Sequence, residues 1–151
     1  MKRNLLLQYL PPLLLIPFIL YSCREACDKG YEGKRCDVPQ RDKFEGVWNA
    51  VDNPGSLTYT DTIIDGSDIV EVVISKNFSG NRYYKAVKAT VLENTISIFP
   101  TDQKIDTSKT YAVGSGVISE DHKTINWNYT LTIKTDTPFI STNYTGVWTK
   151  Q

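Results

Sequence analysis

Few side chains able to do chemistry occur in this chain, and their spacing narrows what they can do. The single histidine, His122, sits between Asp121 and Lys123 in a polar stretch, where a surface turn residue is expected rather than a general base. Three cysteines, Cys23, Cys27 and Cys36, crowd near the start. Acids gather at Asp61, Asp65, Asp68 and Glu71, with Asp52 upstream. Paired carboxylates can run acid–base hydrolysis, and turn acids can ligate calcium. Most of these acids, however, fall at turn signals, where Asp accepts backbone hydrogen bonds. We therefore assign no catalytic residue, no metal ligand and no cofactor. The aromatics Trp48, Trp127, Tyr129, Tyr144 and Trp148 are candidates to line a ligand site or to stack on a sugar; the plainer role is a hydrophobic core. No nucleophile elbow, zinc helix, P-loop or dinucleotide fingerprint is present. Gly114-Ser115-Gly116 lies within a strand pattern and opens no helix, so it is no phosphate cradle.

The chain of 151 residues is long enough for one domain and a small addition. Seventeen basic residues balance seventeen acidic ones, against the basic surplus that marks a nucleic-acid binder. Hydrophobic residues make up 40%, enough to build a core.

From residue 41 onward the chain has sixteen Thr, eleven Ile and ten Val against three Leu, a composition suited to pleated sheet. Apolar and polar residues alternate most clearly in Ile125-Trp127-Tyr129-Leu131-Ile133. Turn signals such as Asn53-Pro54-Gly55-Ser56, Asp65-Gly66-Ser67-Asp68 and Ser119-Glu120-Asp121-His122 separate the runs. The expected strands are 44–51, 57–64, 69–75, 82–92, 95–99, 110–118, 124–135 and 143–150. This is an all-β domain, an antiparallel meander closed as a barrel or, alternatively, packed as a β-sandwich. Phe44-Glu45-Gly46-Val47-Trp48 opens it, and the similar Tyr144-Thr145-Gly146-Val147-Trp148 ends it. Pairing of first strand with last would bring these motifs together and leave no exposed edge.

The start of the chain reads as an address. Lys2 and Arg3 precede an apolar run from Leu5 to Leu20, broken by Pro11, Pro12 and Pro17 and too short to span a membrane. Leu20-Tyr21-Ser22-Cys23 resembles the lipobox of bacterial lipoproteins. The resemblance implies cleavage before Cys23 and an acylated Cys23 that anchors the chain in a membrane. Removing residues 1–22 leaves 15 basic and 17 acidic residues, a net charge of −2. Cys27 and Cys36 then remain as an even pair, which in an exported chain reads as a disulfide. The run Cys27-x-x-Gly30-Tyr31-x-Gly33-x-x-Cys36 resembles the last disulfide loop of an EGF-like module, with glycines where a tight loop wants positive φ. Position 25 is Glu where the module would place a Cys, and the calcium-ligating front is absent. The loop therefore reads as a stapled spacer.

The organisation is a lipoprotein signal peptide over 1–22, a lipid-anchored tether with the EGF-like remnant over 23–43, and a β-barrel domain over 44–151. Phe44-x-Gly46-x-Trp48 resembles the opening of lipocalin-like (calycin) barrels. The order of lipobox, cysteine loop and Thr-rich β domain resembles small envelope lipoproteins of Gram-negative bacteria. Asn77-Phe78, Val87-x-Ala89-x-Val91, Ile96-x-Ile98, Gln103 and Gly114-x-Gly116 carry that likeness through the domain. The resemblance implies an exported protein, lipid-anchored at the outer membrane; with no catalytic set among the residues, a non-catalytic ligand- or partner-binding module is expected rather than an enzyme. Its partners would be the membrane, through acylated Cys23, and a small hydrophobic, glycan or protein ligand; no nucleic acid is expected. The alternatives are a structural or adhesive surface protein with a self-filled core and, behind it, a carboxylate-based hydrolase. Asn77-Phe78-Ser79, Asn128-Tyr129-Thr130 and Asn143-Tyr144-Thr145 match the N-glycosylation pattern, which carries little weight in a bacterial lipoprotein.

Overall fold

A computed structural model describes residues 26–75, 78–81, 84–99, 103, 105–106, 109–134 and 139–151. The expected signal peptide and the expected lipidation site Cys23 lie outside the described residues, as do Asn77 and Tyr83.

The cysteine loop comes first in the chain. A disulfide joins Cys27 to Cys36, their Cα atoms 5.2 Å apart. Within and just beyond it β1 (Tyr31–Glu32) pairs antiparallel with β2 (Val38–Pro39). Gly30 and Gly33 both hold the positive φ that the tight loop needs. A single 3-10 turn, Gln40–Lys43, then leads into the β domain.

Eight strands follow: β3 (Gly46–Asn53), β4 (Leu57–Asp65), β5 (Glu71–Ile74), β6 (Val87–Leu92), β7 (Thr95–Ile98), β8 (Thr110–Ile118), β9 (Thr124–Ile133) and β10 (Ile140–Lys150). Each pairs antiparallel with the next, and β10 returns to pair with β3, so the sheet is a closed barrel and not a sandwich. Closure pairs Trp148 with Ala50 and Gly146 with Asp52, which brings the first and last motifs side by side. Alternation places Val72, Ile74, Val87, Ala89, Val91, Ile96, Ile98 and Ile125 in the interior. Two strands are shortened most against the sequence expectation. β5 begins at Glu71 because residues 66–70 turn, with Glu71 N–H reaching Asp68 O. β6 begins at Val87: Lys85 N–H is taken by Ile105 O from another connection, not by a ladder partner.

The two ends of the barrel differ. Connections 66–70, 93–94 and 119–123 leave one end, and the cysteine module packs there. Gln40 Oε1 accepts Glu93 N–H at 2.8 Å. Arg41 Nη1 donates to Asp68 O at 2.6 Å. Lys43 Nζ, nearly buried, donates to Glu32 Oε2 at 2.6 Å and Asn94 Oδ1 at 2.9 Å. Phe44 enters the core behind it, and its carbonyl accepts Trp48 Nε1–H at 2.8 Å. Lys150 Nζ lies 5.4 Å from the centre of the Trp48 ring and donates to Lys43 O at 3.1 Å. The last strand, the first strand and the capping turn are thereby tied at one point. The connections after β5, β7 and β9 leave the opposite end.

Replacing both Cys27 and Cys36 by Ala should lower stability by about 2–3 kcal/mol, the entropy of freeing a loop of this size. Urea unfolding of both forms checks it. Because Gln40, Arg41 and Lys43 lie beyond the disulfide, the barrel should stay folded.

Candidate functional site

Three indoles fill the centre of the barrel. Trp48 on β3, Trp127 on β9 and Trp148 on β10 are at most 1% exposed. Phe78, carried by the connection between β5 and β6, reaches in among them: its ring centre is 6.4 Å from Trp127, 6.2 Å from Trp148 and 4.8 Å from Tyr129. Trp127 and Trp148 tilt against each other at 5.2 Å. Burying roughly 200 Å² of ring at roughly 25 cal/mol per Å² is worth about 5 kcal/mol per indole before entropy is charged. Gly116 makes room: a Cβ there would come within 2.8 Å of the Trp127 ring. Of the five candidate aromatics, the structure thus gathers the three tryptophans into the core. Tyr129 is 3% exposed and Tyr144 half-buried, the two rings stacked at 5.0 Å and nearly parallel.

The most constrained group is one the sequence placed at a turn. Asp52 is the last inward position of β3 and is completely buried. Its Oδ2 accepts the hydroxyls of Tyr59 on β4 at 2.6 Å and Tyr129 on β9 at 2.5 Å. Its Oδ1 accepts Trp148 Nε1–H from β10 at 3.2 Å. Tyr59 Oη in turn accepts Ser79 N–H at 3.1 Å. Burial, reinforced by Asp52, holds both phenols far above their ordinary range, so they stay protonated and keep donating. Gly146 faces Asp52 across the seam, and a Cβ at position 146 would fall 2.1 Å from Asp52 Oδ1. The Gly of the closing motif is there to admit a carboxyl group. Such a group, held by three donors from three strands, suits fixing strands in register better than moving protons.

A second acid, Asp61 on β4, is also interior, 1% exposed. Ser75 Oγ donates to its Oδ1 in a short hydrogen bond, and Thr62 N–H donates to the same oxygen at 2.7 Å. Its Oδ2 is buried without a partner among the described residues. Burial outweighs these bonds and pushes its pKa up to about 6. The other acids of the turn group stay outside: Glu71 pairs with Lys88 at 3.1 Å and caps Ser67 N–H. Among the described residues no three metal-ligating side chains converge. His122 is an exposed turn residue with positive φ.

Sequence reasoning named Asp52, Asp61 and Phe78 but placed none of them in the barrel interior. The signal for the two acids was alternation: Trp48, Ala50 and Asp52 share one face, as do Tyr59, Asp61 and Ile63.

One open depression of about 400 Å³ lies on the outer wall, over β8, β9 and β10. It is lined by residues 128–130 and 143–145, with Val113 and Gly114 beside them.

No family model, curated protein or solved structure matches the chain.

Two outcomes are expected. Gly146→Ala should cost about 3 kcal/mol or more, because backbone and a buried carboxyl must both move; a melting shift under 2 °C would contradict it. For Asp61 the folded pKa lies above the unfolded one, so the native state holds the extra proton. The contribution of Asp61 to stability should therefore be greatest at and below about pH 4, fall by up to about 3 kcal/mol as pH rises to just past 6, and level off. Asp61→Asn should flatten that slope in urea titrations run across the same range.

Proposed function

We propose that the chain is an exported lipoprotein, held in the cell envelope at the outer membrane by acyl chains on Cys23, and that its barrel is a non-catalytic binding module. The observation that carries this reading is the polarity of the fold. The cysteine module packs on one end of the barrel through Gln40, Arg41 and Lys43. Cys23 precedes Cys27 by four residues, a reach of roughly 14 Å at most. Acylation there stands the barrel on the membrane with its capped end down. The side wall and the far end are then presented to partners. Among the described residues no helix is long and apolar enough to cross a membrane.

The interior favours a wall site over a site inside the barrel. Three tryptophans and Phe78 pack on one another where a calycin-like barrel would take a ligand. The same packing favours the second reading, a structural or adhesive surface protein with a self-filled core.

Cys23→Ser should move the protein from the membrane to the soluble fraction and remove the acyl mass from its N-terminal peptide. A wild-type Cys23 without added mass, or a variant cut free of residues 1–22 that still stays in the membrane fraction, would sink the lipoprotein reading.

A further inference from the structure

The two Asn-Tyr-Thr tripeptides meet in space. In the antiparallel pairing of β9 with β10, Asn128 faces Thr145, Tyr129 faces Tyr144 and Thr130 faces Asn143. The tyrosine rings turn inward and stack, while the Asn and Thr side chains turn outward. β8 continues the rows, with Gly114 beside Tyr129 and Val113 beside Thr130. The depression of about 400 Å³ is therefore a groove between two outward rows. Val113, Thr130 and Asn143 form one bank; Asn128 and Thr145 form the other. The banks are two residues apart along the strands, roughly 6.8 Å.

We propose that this groove binds a neutral carbohydrate. The inference rests on the reading of the barrel as a binding module and names its site and ligand class.

Three observations select that ligand. First, the banks hold unspent hydrogen-bonding groups. Thr130 Oγ1 donates to Asn143 Oδ1 at 2.8 Å, and the amide N–H₂ of the exposed Asn143 makes no hydrogen bond among the described residues. The facing pair, Asn128 and Thr145, makes no side-chain hydrogen bond among the described residues, so an amide and a hydroxyl remain for a ligand. Amides and hydroxyls are the partners that sugar hydroxyls need. Second, the groove lining is mostly carbon, which suits the C–H faces of a pyranose ring. Third, the groove lining is uncharged; the nearest cation on this wall, Lys134, follows β9 and lies 4.2 Å over the Tyr111 ring. The outward positions of β8, β9, β10, β3 and β4 are all Thr, Asn, Ser, Val, Ile or Tyr. The charged residues of these strands are the buried Asp52 and Asp61, plus Asp65 and Lys150 at the capped end. An ionic ligand would lose hydration here and find no counter-charge among the lining residues, whereas a neutral polyol loses little.

The test is an amide NMR titration of the full-length Cys23→Ser chain in detergent micelles. The probes are maltohexaose, cellohexaose and chitohexaose, with hexagalacturonate as the charged control. The proposal expects at least one neutral hexaose to cause saturable shifts centred on residues 113, 128–130 and 143–145, and hexagalacturonate to cause none there. Asn128→Ala combined with Asn143→Ala should weaken binding at least about tenfold. Lys88→Ala, across the barrel, should leave it unchanged. Both altered asparagines are exposed, so the remaining amide spectrum should keep its native pattern and report an intact fold. No saturable shift with any neutral hexaose, equal binding of hexagalacturonate, or binding untouched by the double variant would overturn the proposal. Wall shifts that track protein concentration alone would overturn it in favour of a second copy. A saturable site at the far end would overturn it too, while leaving the binding-module reading in place.

Discussion

A carboxyl group sealed from water must find donors inside the protein, and Asp52 finds three. That requirement organises the barrel. The donors come from β4, β9 and β10, so one side chain on β3 ties together four adjacent strands. It does so at the seam where the last strand meets the first, the pairing with the largest loop to close and the greatest entropic cost. The rest follows from that placement. Residue 146 must be Gly because the carboxyl occupies the space of its Cβ. Tyr129 must lie with its hydroxyl toward Asp52, and Tyr144 stacks on the ring so placed. The outward Asn and Thr of both tripeptides are thereby set opposite one another. A buried interaction thus fixes the geometry of a surface groove.

Much of the architecture was legible because a barrel wall writes itself in period two. The alternation of Ile125, Trp127, Tyr129 and Leu131 needs no tertiary information to assign one face inward. The paired aromatic-Gly-Trp motifs pointed to closure because a meander whose end strands carry matching inner faces can abolish its edges by joining them. The cysteine loop was legible for a local reason, since two glycines and ten residues define a small ring almost by themselves.

What escaped depended on partners far away in the chain. Asp52 looks like a turn residue beside Asn53-Pro54-Gly55, and only the rings of Tyr59, Tyr129 and Trp148 make its burial tolerable. Asp61 escaped likewise, because its partner Ser75 lies on the far side of a hairpin. Phe78 belongs to a connection, where an aromatic carries no periodicity to reveal that it points into the core. The groove could not be read at all: Asn128 and Thr145 are ordinary wet-face residues until register sets them opposite each other.

The account turns on Asp52 holding the seam, and native-state hydrogen exchange on Asp52→Ala measures that directly. Loss of the acceptor leaves three buried donors unpaired, on the order of 3 kcal/mol or more. The account predicts that exchange accelerates by about a hundredfold or more at the β10–β3 amides, spreads to the neighbouring β9 ladder, and changes least in β6 and β7. Uniform acceleration across all eight strands, or unchanged protection at the seam, would contradict it.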